Sequence, residues 1–126
     1  MEFLSVEQVL ALHAHAIERH GGAGGVRDLA LLEAAVAMPR QQVQGRYLHD
    51  GPAAMAAAYH FHLAKNHPFH DGNKRVAALA ALVFLDANGI RSLPPARALE
   101  RVTWQVADGT LSKQELTQWM QSHVAE

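Results

Sequence analysis

The sequence predicts an all-α fold, a compact bundle of about six helices around a buried central helix. Twenty-three of the 126 residues are alanine and few are β-branched, which favours helix because alanine loses no side-chain entropy there. Apolar residues recur at helical spacing in segments that glycine and proline separate. With 49% hydrophobic and 18% charged residues, the chain is expected to fold as one domain over residues 1–126.

Three predicted helices have clear starting signals. Ser5 and Gln8 form a predicted capping box for the first helix. Asp28 is a predicted N-cap for the second, and Ser112 with Glu115 forms a second capping box for the last helix. The predicted helices lie between residue 5 and the glycine run at 21–25, over 29–38, from 52 or 53 to 66, from 73 to 88, from 94 or 95 to 106, and from 112 through 120.

Proline and glycine set the other boundaries. Pro52 suits the first turn of the third helix, and Pro68 forces the residue before it out of helical geometry. Gly89 ends the fourth helix, and Asp108-Gly109 forms a turn. The polar segment 41–51 is irregular, and we expect a short hairpin or flap there.

The fourth predicted helix is apolar on nearly all sides, so we expect it to be the buried centre of the fold. Three large aromatic residues fall on helix faces that we interpret as apolar, and we expect them in the core rather than on a stacking surface. These residues are Phe84, Trp104 and Trp119.

Composition excludes several classes of protein. The net charge of −1 and pI near 6.7 leave no basic excess for direct binding to nucleic acid or an anionic membrane. The absence of cysteine excludes disulfides, a thiol nucleophile and thiolate metal sites. The acidic N-terminus does not resemble a signal peptide, and the longest apolar stretch, 76–85, is too short to span a membrane. We therefore expect a cytoplasmic protein.

One segment, residues 67–75, combines the groups that phosphate chemistry requires. Its second half lies at the predicted start of the fourth helix, where free N–H groups and the helix dipole attract anions. Gly72 allows close approach of the backbone to an anion, and Lys74 and Arg75 add two positive charges. Taken singly, these residues are typical of a turn and a solvated first helical turn.

Two further residues of this segment fit phosphoryl or nucleotidyl transfer. Asp71 would repel phosphate unless Mg²⁺ bridged the two, an arrangement that hard cations favour. His67 has an imidazole suited to taking a proton from a hydroxyl nucleophile. Phe69 is interpreted as the anchor of the loop. Since this chemistry depends mostly on positioning and charge stabilisation, the segment is a candidate active site.

The segment resembles the signature motif of the Fic/Doc superfamily, and within it the Doc (death-on-curing) toxins. The resemblance extends upstream through 25–28 and 31–33 and downstream through 83–89, so it covers nearly the whole chain. The matching motif positions are His67, Phe69, Asp71, Gly72, Asn73, Lys74 and Arg75.

The resemblance implies a Fic-type helical fold and a toxin of a type II toxin–antitoxin system. Its activity would be transfer of the ATP γ-phosphate to a threonine of translation elongation factor Tu. Catalytic roles then fall to His67 as general base, Asp71 as Mg²⁺ ligand and Lys74, and the run Gly72, Asn73, Lys74 and Arg75 would hold the phosphates. AMP-transferring Fic proteins usually carry Gly at the position of Lys74 and a second Arg at that of Ala78.

No predicted helix contains the Ser/Thr-x-x-x-Glu pattern of self-inhibited Fic proteins, so the resemblance implies inhibition by a separate Phd-like antitoxin. Two alternatives stay open: Fic-type AMP transfer to a protein hydroxyl, and a catalytically inactive binding module with this fold. Nine histidines also raise the question of a transition-metal site. We disfavour one because pairs two residues apart, such as His13 with His15, point to different faces of a helix.

Overall fold

A computed structural model describes residues 1–124 of the chain. A 3₁₀ turn at Met38–Arg40 follows the second helix, and an antiparallel hairpin pairs Gln42 with Tyr47 and Val43 with Arg46. The six helices are α1 (Val6–His20), α2 (Leu29–Ala37), α3 (Pro52–Asn66), α4 (Asn73–Ala87), α5 (Ala96–Asp108) and α6 (Lys113–His123), and the two short strands are β1 (Gln42–Val43) and β2 (Arg46–Tyr47). The all-α prediction and the short hairpin are confirmed.

The three side-chain caps predicted for α1, α2 and α6 are confirmed, whereas α5 begins at Ala96, after the predicted start at residue 94 or 95. Both capping boxes form, with Ser5 and Ser112 each accepting a hydrogen bond from the backbone N–H three residues later. The Asp28 carboxylate accepts one from the Leu31 N–H. Gly109 ends α5 in the left-handed conformation that glycine adopts without strain.

The centre of the bundle is α3 rather than α4, which corrects the expectation from hydrophobicity. α3 contacts the 3₁₀ turn and helices α2, α4, α5 and α6, and its residues 53–60 are buried without interruption. Most of these are alanines, whose small side chains let neighbouring helices approach closely. α4 leaves Leu79, Leu82 and Val83 partly exposed.

Only part of the aromatic prediction holds. Phe84 is fully buried, and Trp119 is partly buried against the core and stacks on His123. Trp104, in contrast, is 57% exposed. The buried face of α5 consists of Leu99, Val102, Thr103 and Val106. At about 100° per residue, Trp104 lies roughly 200° around the helix from Val102. Its side chain therefore points away from the buried face, and the predicted burial of Trp104 is wrong.

One buried polar pair links α3 to α5. The Thr103 hydroxyl donates to the Leu99 carbonyl oxygen at 2.6 Å, so it accepts the N–H of His60 Nε2 at 2.7 Å. His60 Nδ1 is buried without a partner. Burial therefore lowers the pKa of His60 to about 4.

No helix among residues 1–124 is both long enough and apolar enough to cross a lipid bilayer.

Acid should destabilise the fold through His60. The unfolded chain takes up a proton near the ordinary pKa of 6.5, whereas folded His60 resists it down to about 4. The free energy of unfolding should therefore fall as pH drops from 6.5 towards 4, by up to about 1.4 kcal/mol per pH unit from this residue. His60→Gln should lose this part of the slope in urea titrations at several pH values. The exposed His15→Gln is the control, and an unchanged slope in the His60 variant would contradict this origin.

Candidate active site

His67 ends α3 in an unusual backbone conformation. Its φ of 54° and ψ of 51° lie in the left-handed region, which is uncommon for residues other than glycine. The residue is exposed. The turn thus presents an imidazole at the surface, where a hydroxyl of another molecule can reach it.

Arg27 holds this turn in place. Its Nε donates a hydrogen bond to the His67 carbonyl oxygen at 2.7 Å, and its Nη2 donates to that of Asn66 at 3.1 Å. The guanidinium therefore satisfies the last carbonyls of α3, at the negative end of the helix dipole. In the sequence, Arg27 belongs to the upstream family pattern and has no predicted role. The residues around Arg27 give no sign that its side chain reaches the end of α3, 40 positions further along the chain.

Phe69 is the anchor that the sequence predicts. The residue is fully buried and pairs with Val26 in an isolated β-bridge. The His13 ring of α1 lies nearly parallel to the Phe69 ring, with centroids 3.7 Å apart and planes 7° apart. The contribution of His13 was not predicted, since no motif in the sequence indicates one. The loop after α3 is therefore fixed against both α1 and the segment before α2.

Asn73 closes the same loop on itself. Its side-chain oxygen accepts from the Phe69 N–H and its amide nitrogen donates to the Phe69 carbonyl oxygen, both at 2.9 Å. The side chain is buried. Both ends of the amide are thus engaged, so a phosphate contact from Asn73 would use its backbone N–H.

Asp71 lies exposed between the loop and the glycine run. One carboxylate oxygen accepts the Ala23 N–H at 2.7 Å, and the Asp71 carbonyl oxygen accepts from His13 Nε2 at 2.7 Å. A Cβ at Gly22 would lie 3.2 Å from the Asp71 Cβ, so the close approach depends on glycine. The glycine run, interpreted from sequence only as a loop, thus orients this carboxylate.

The resemblance implies that Asp71 is a metal ligand, a role that depends on which other side chains lie near its carboxylate. Within residues 1–124 no group of three or more His, Asp or Glu side chains comes together to hold a metal. A Mg²⁺ ion here would accordingly take most of its ligands from phosphate oxygens and water, as Mg²⁺ commonly does at nucleotide sites. The exposed carboxylate fits that arrangement.

The N-terminus of α4 follows a left-handed glycine and has no side-chain cap. This glycine is Gly72, with φ 79°, and a Cβ at Gly72 would lie 3.2 Å from Ile17. Arg75 is exposed and Lys74 is half-buried. Uncapped N–H groups beside two cations form a positive surface suited to an anion.

A groove of about 440 Å³ starts at these two cations and extends along α4 towards α5. The groove is lined by His20, Lys74, Arg75, Ala78, Leu79, Leu82, Ala96, Leu99, Glu100, Thr103 and Trp104. Of the motif residues 67–75, Lys74 and Arg75 line this groove, whose other walls combine apolar side chains with His20, Glu100 and Thr103. His67 is not among the lining residues.

The hairpin is a separate exposed feature. Val43, Tyr47 and Leu48 are 58%, 42% and 55% exposed, and the Tyr47 ring contacts Phe3, with centroids 5.5 Å apart. Exposed apolar side chains on a hairpin suit contact with another chain. Alignment of a target chain by this flap stays a prediction.

Replacing Arg27 should weaken the fold at the end of α3. Arg27→Ala removes two charge-assisted hydrogen bonds, and we expect a loss of about 1–2 kcal/mol in the free energy of unfolding. Arg27→Lys should lose less, because it keeps the charge but not the forked geometry. Urea titration measures both, with the exposed Arg97→Ala as control. Equal stability of the two alanine variants would refute the role of this contact.

Comparison with known proteins identifies the family of the chain. Residues 3–85 match the Fic/DOC family model. The chain is 43% identical over 90 residues to the toxin Doc of Mycolicibacterium smegmatis, covering 71% of this chain and 67% of that protein. It is 35% identical over 91 residues to the protein kinase doc of Escherichia phage P1, covering 72% and 71%. The chain therefore belongs to the Fic/DOC family.

Proposed function

We propose that this protein is a Doc-type kinase that serves as the toxin of a type II toxin–antitoxin system. The observation that carries the proposal is the juxtaposition of His67, Asp71 and the uncapped, cationic start of α4 within one anchored loop. The similarity to a toxin Doc and to a protein kinase doc supports both the toxin and the kinase assignments. The proposed target is a threonine of translation elongation factor Tu.

In the proposed reaction, a target hydroxyl oxygen attacks the γ-phosphorus of ATP. The bond from that phosphorus to the β,γ-bridging oxygen breaks, and ADP leaves. His67 takes the proton of the attacking hydroxyl, which its exposure at the end of α3 allows. Lys74, Arg75 and the first N–H groups of α4 would hold the phosphate oxygens. Mg²⁺ held by Asp71 would neutralise phosphate charge.

Two positions favour γ-phosphate transfer over the alternative, AMP transfer. Lys74 occupies a place where a glycine would leave open space, so its side chain alters where the phosphates can lie. Ala78 lines the groove next to the cations and offers no second guanidinium for the far end of a triphosphate. A catalytically inactive binding module is the other alternative, and only an assay separates it from an enzyme.

The proposed inhibitor is a separate Phd-like antitoxin. One Ser-x-x-x-Glu spacing does occur, from Ser122 to Glu126. α6 ends at His123, and Glu126 lies outside the described residues. The antitoxin proposal therefore rests on the similarity to a toxin Doc and not on the lack of a self-inhibitory sequence.

The function is tested by label transfer to purified elongation factor Tu, with Mg²⁺ and ATP labelled at the γ- or the α-phosphate. We expect only the γ label to transfer, and His67→Ala to lower the rate at least about 100-fold through loss of the general base. His70→Ala is a matched control, because His70 is exposed in the same loop and has no proposed role.

Transfer of the α label instead would assign the protein to AMP transfer. Transfer that survives in His67→Ala would refute the assignment of the base. No transfer of either label would refute the elongation factor Tu kinase proposal and favour the binding module.

The metal role of Asp71 predicts a selective effect of Asp71→Asn. Asparagine has nearly the same shape and can still accept the Ala23 N–H, but it lacks the charge that binds Mg²⁺. We expect weaker Mg²⁺-dependent binding of ATP with little change in thermal stability. Calorimetric titration with and without Mg²⁺ measures this, with the exposed Asp86→Asn as control. Unchanged Mg²⁺ dependence in the Asp71→Asn variant would exclude Asp71 as the ligand.

A further inference from the structure

Trp104 is a large aromatic residue that the core does not use. Its indole is 57% exposed on α5, and it forms part of the groove that starts at Lys74 and Arg75. Single exposed apolar residues are common. This one is distinguished by the residue that lies against it.

The ammonium of Lys74 lies over the Trp104 ring, with Nζ 4.4 Å from the ring centroid. This distance is within the range in which the negative face of an indole attracts a cation. Lysine otherwise has a long flexible side chain that samples many rotamers. The contact joins the first turn of α4 to α5 across the mouth of the groove.

An aromatic partner differs from an acidic one in its effect on the charge of the site. A carboxylate against Lys74 would neutralise the ammonium, whereas the neutral indole holds the ammonium and leaves its positive charge available to an anion. Glu100 lines the same groove, so an ammonium released from the ring would have a carboxylate nearby.

We propose that Trp104 is a positioning residue that holds the Lys74 ammonium ready for a phosphate chain at the mouth of the groove. The inference rests on the proposed function in that Lys74 is taken as a phosphate ligand. By ordering the lysine before the anion arrives, the indole lowers the entropy lost on binding. The effect of Trp104 on phosphate binding thus acts through Lys74 and not through contact with the reacting atoms.

The contact itself can be measured by NMR, because the chain has only three lysines: Lys65, Lys74 and Lys113. In protein labelled at the lysine ε-carbon, a methylene held over an indole face is shifted upfield by the ring current. We expect one upfield signal, lost in Trp104→Leu, partly kept in Trp104→Phe and unchanged in Trp119→Phe. Far-ultraviolet circular dichroism checks that each variant is folded. No upfield signal, or one that survives in Trp104→Leu, would overturn the proposal.

The consequence for anions is tested with tripolyphosphate alone, titrated calorimetrically without Mg²⁺. A cation–π contact at an exposed site corresponds to a change of about two- to fivefold in affinity. We expect Trp104→Leu to bind tripolyphosphate more weakly by that factor, with Trp104→Phe in between and Trp119→Phe equal to wild type. Absence of binding to the wild-type protein, or binding to Trp104→Leu that is equal or tighter, would overturn the proposal.

These measurements separate the inference from the proposed function. Tripolyphosphate has no nucleoside, and neither readout requires phosphate transfer. If the anion affinity falls in Trp104→Leu while no label reaches elongation factor Tu, the inference stands and the kinase proposal fails. If label transfers to elongation factor Tu and the anion affinity of Trp104→Leu is unchanged, the kinase proposal stands and the inference about Trp104 fails.

Discussion

Burial of the Phe69 ring is the constraint on which the candidate site depends. The ring lies against His13 of α1, and its backbone is bound by the Asn73 amide and paired with Val26. Parts of the chain far apart in sequence thus determine one short loop. Because Phe69 is fixed, the residues on either side of it, His67 and Asp71, have fixed positions without being buried themselves.

The residues of the site that could meet a substrate are therefore different from the residues that hold them in place. The groups that could meet a substrate are exposed or half-buried, whereas the contacts that hold them come from α1, the glycine run and Arg27. Such a division lets charged groups stay hydrated until a ligand arrives, which avoids the desolvation penalty of burying them. It also means that residues outside the motif, above all Arg27, control the geometry of the motif.

The sequence predicts those features that depend on local chemistry. Side-chain caps at Ser5, Asp28 and Ser112 were predicted because a cap needs only a few neighbouring residues. The identity of the central helix was not, since residue hydrophobicity favours the leucines of α4, whereas close packing favours the alanines of α3. The exposure of Trp104 was missed because its face of α5 was interpreted as apolar, whereas the buried face is formed by Leu99, Val102 and Val106.

Within the site, contacts between distant segments were the unpredictable part. The motif spacing indicates which residues carry charge and which turn the chain. It does not show that His13 donates a hydrogen bond to the Asp71 carbonyl oxygen, or that Arg27 reaches the end of α3. Both contacts depend on the relative placement of helices and loops, which no local pattern encodes.

The left-handed backbone at His67 restricts which amino acids that position accepts. Glycine, asparagine, aspartate and histidine tolerate this conformation best, and β-branched residues are strongly disfavoured. Of these four, only histidine has an ordinary pKa close to neutrality. Backbone sterics thus reduce the set of candidates, and the proposed role as general base would select histidine from it. Glycine would suit the backbone and vacate the space of the ring, so the His67→Gly variant is the natural host for rescue by free imidazole.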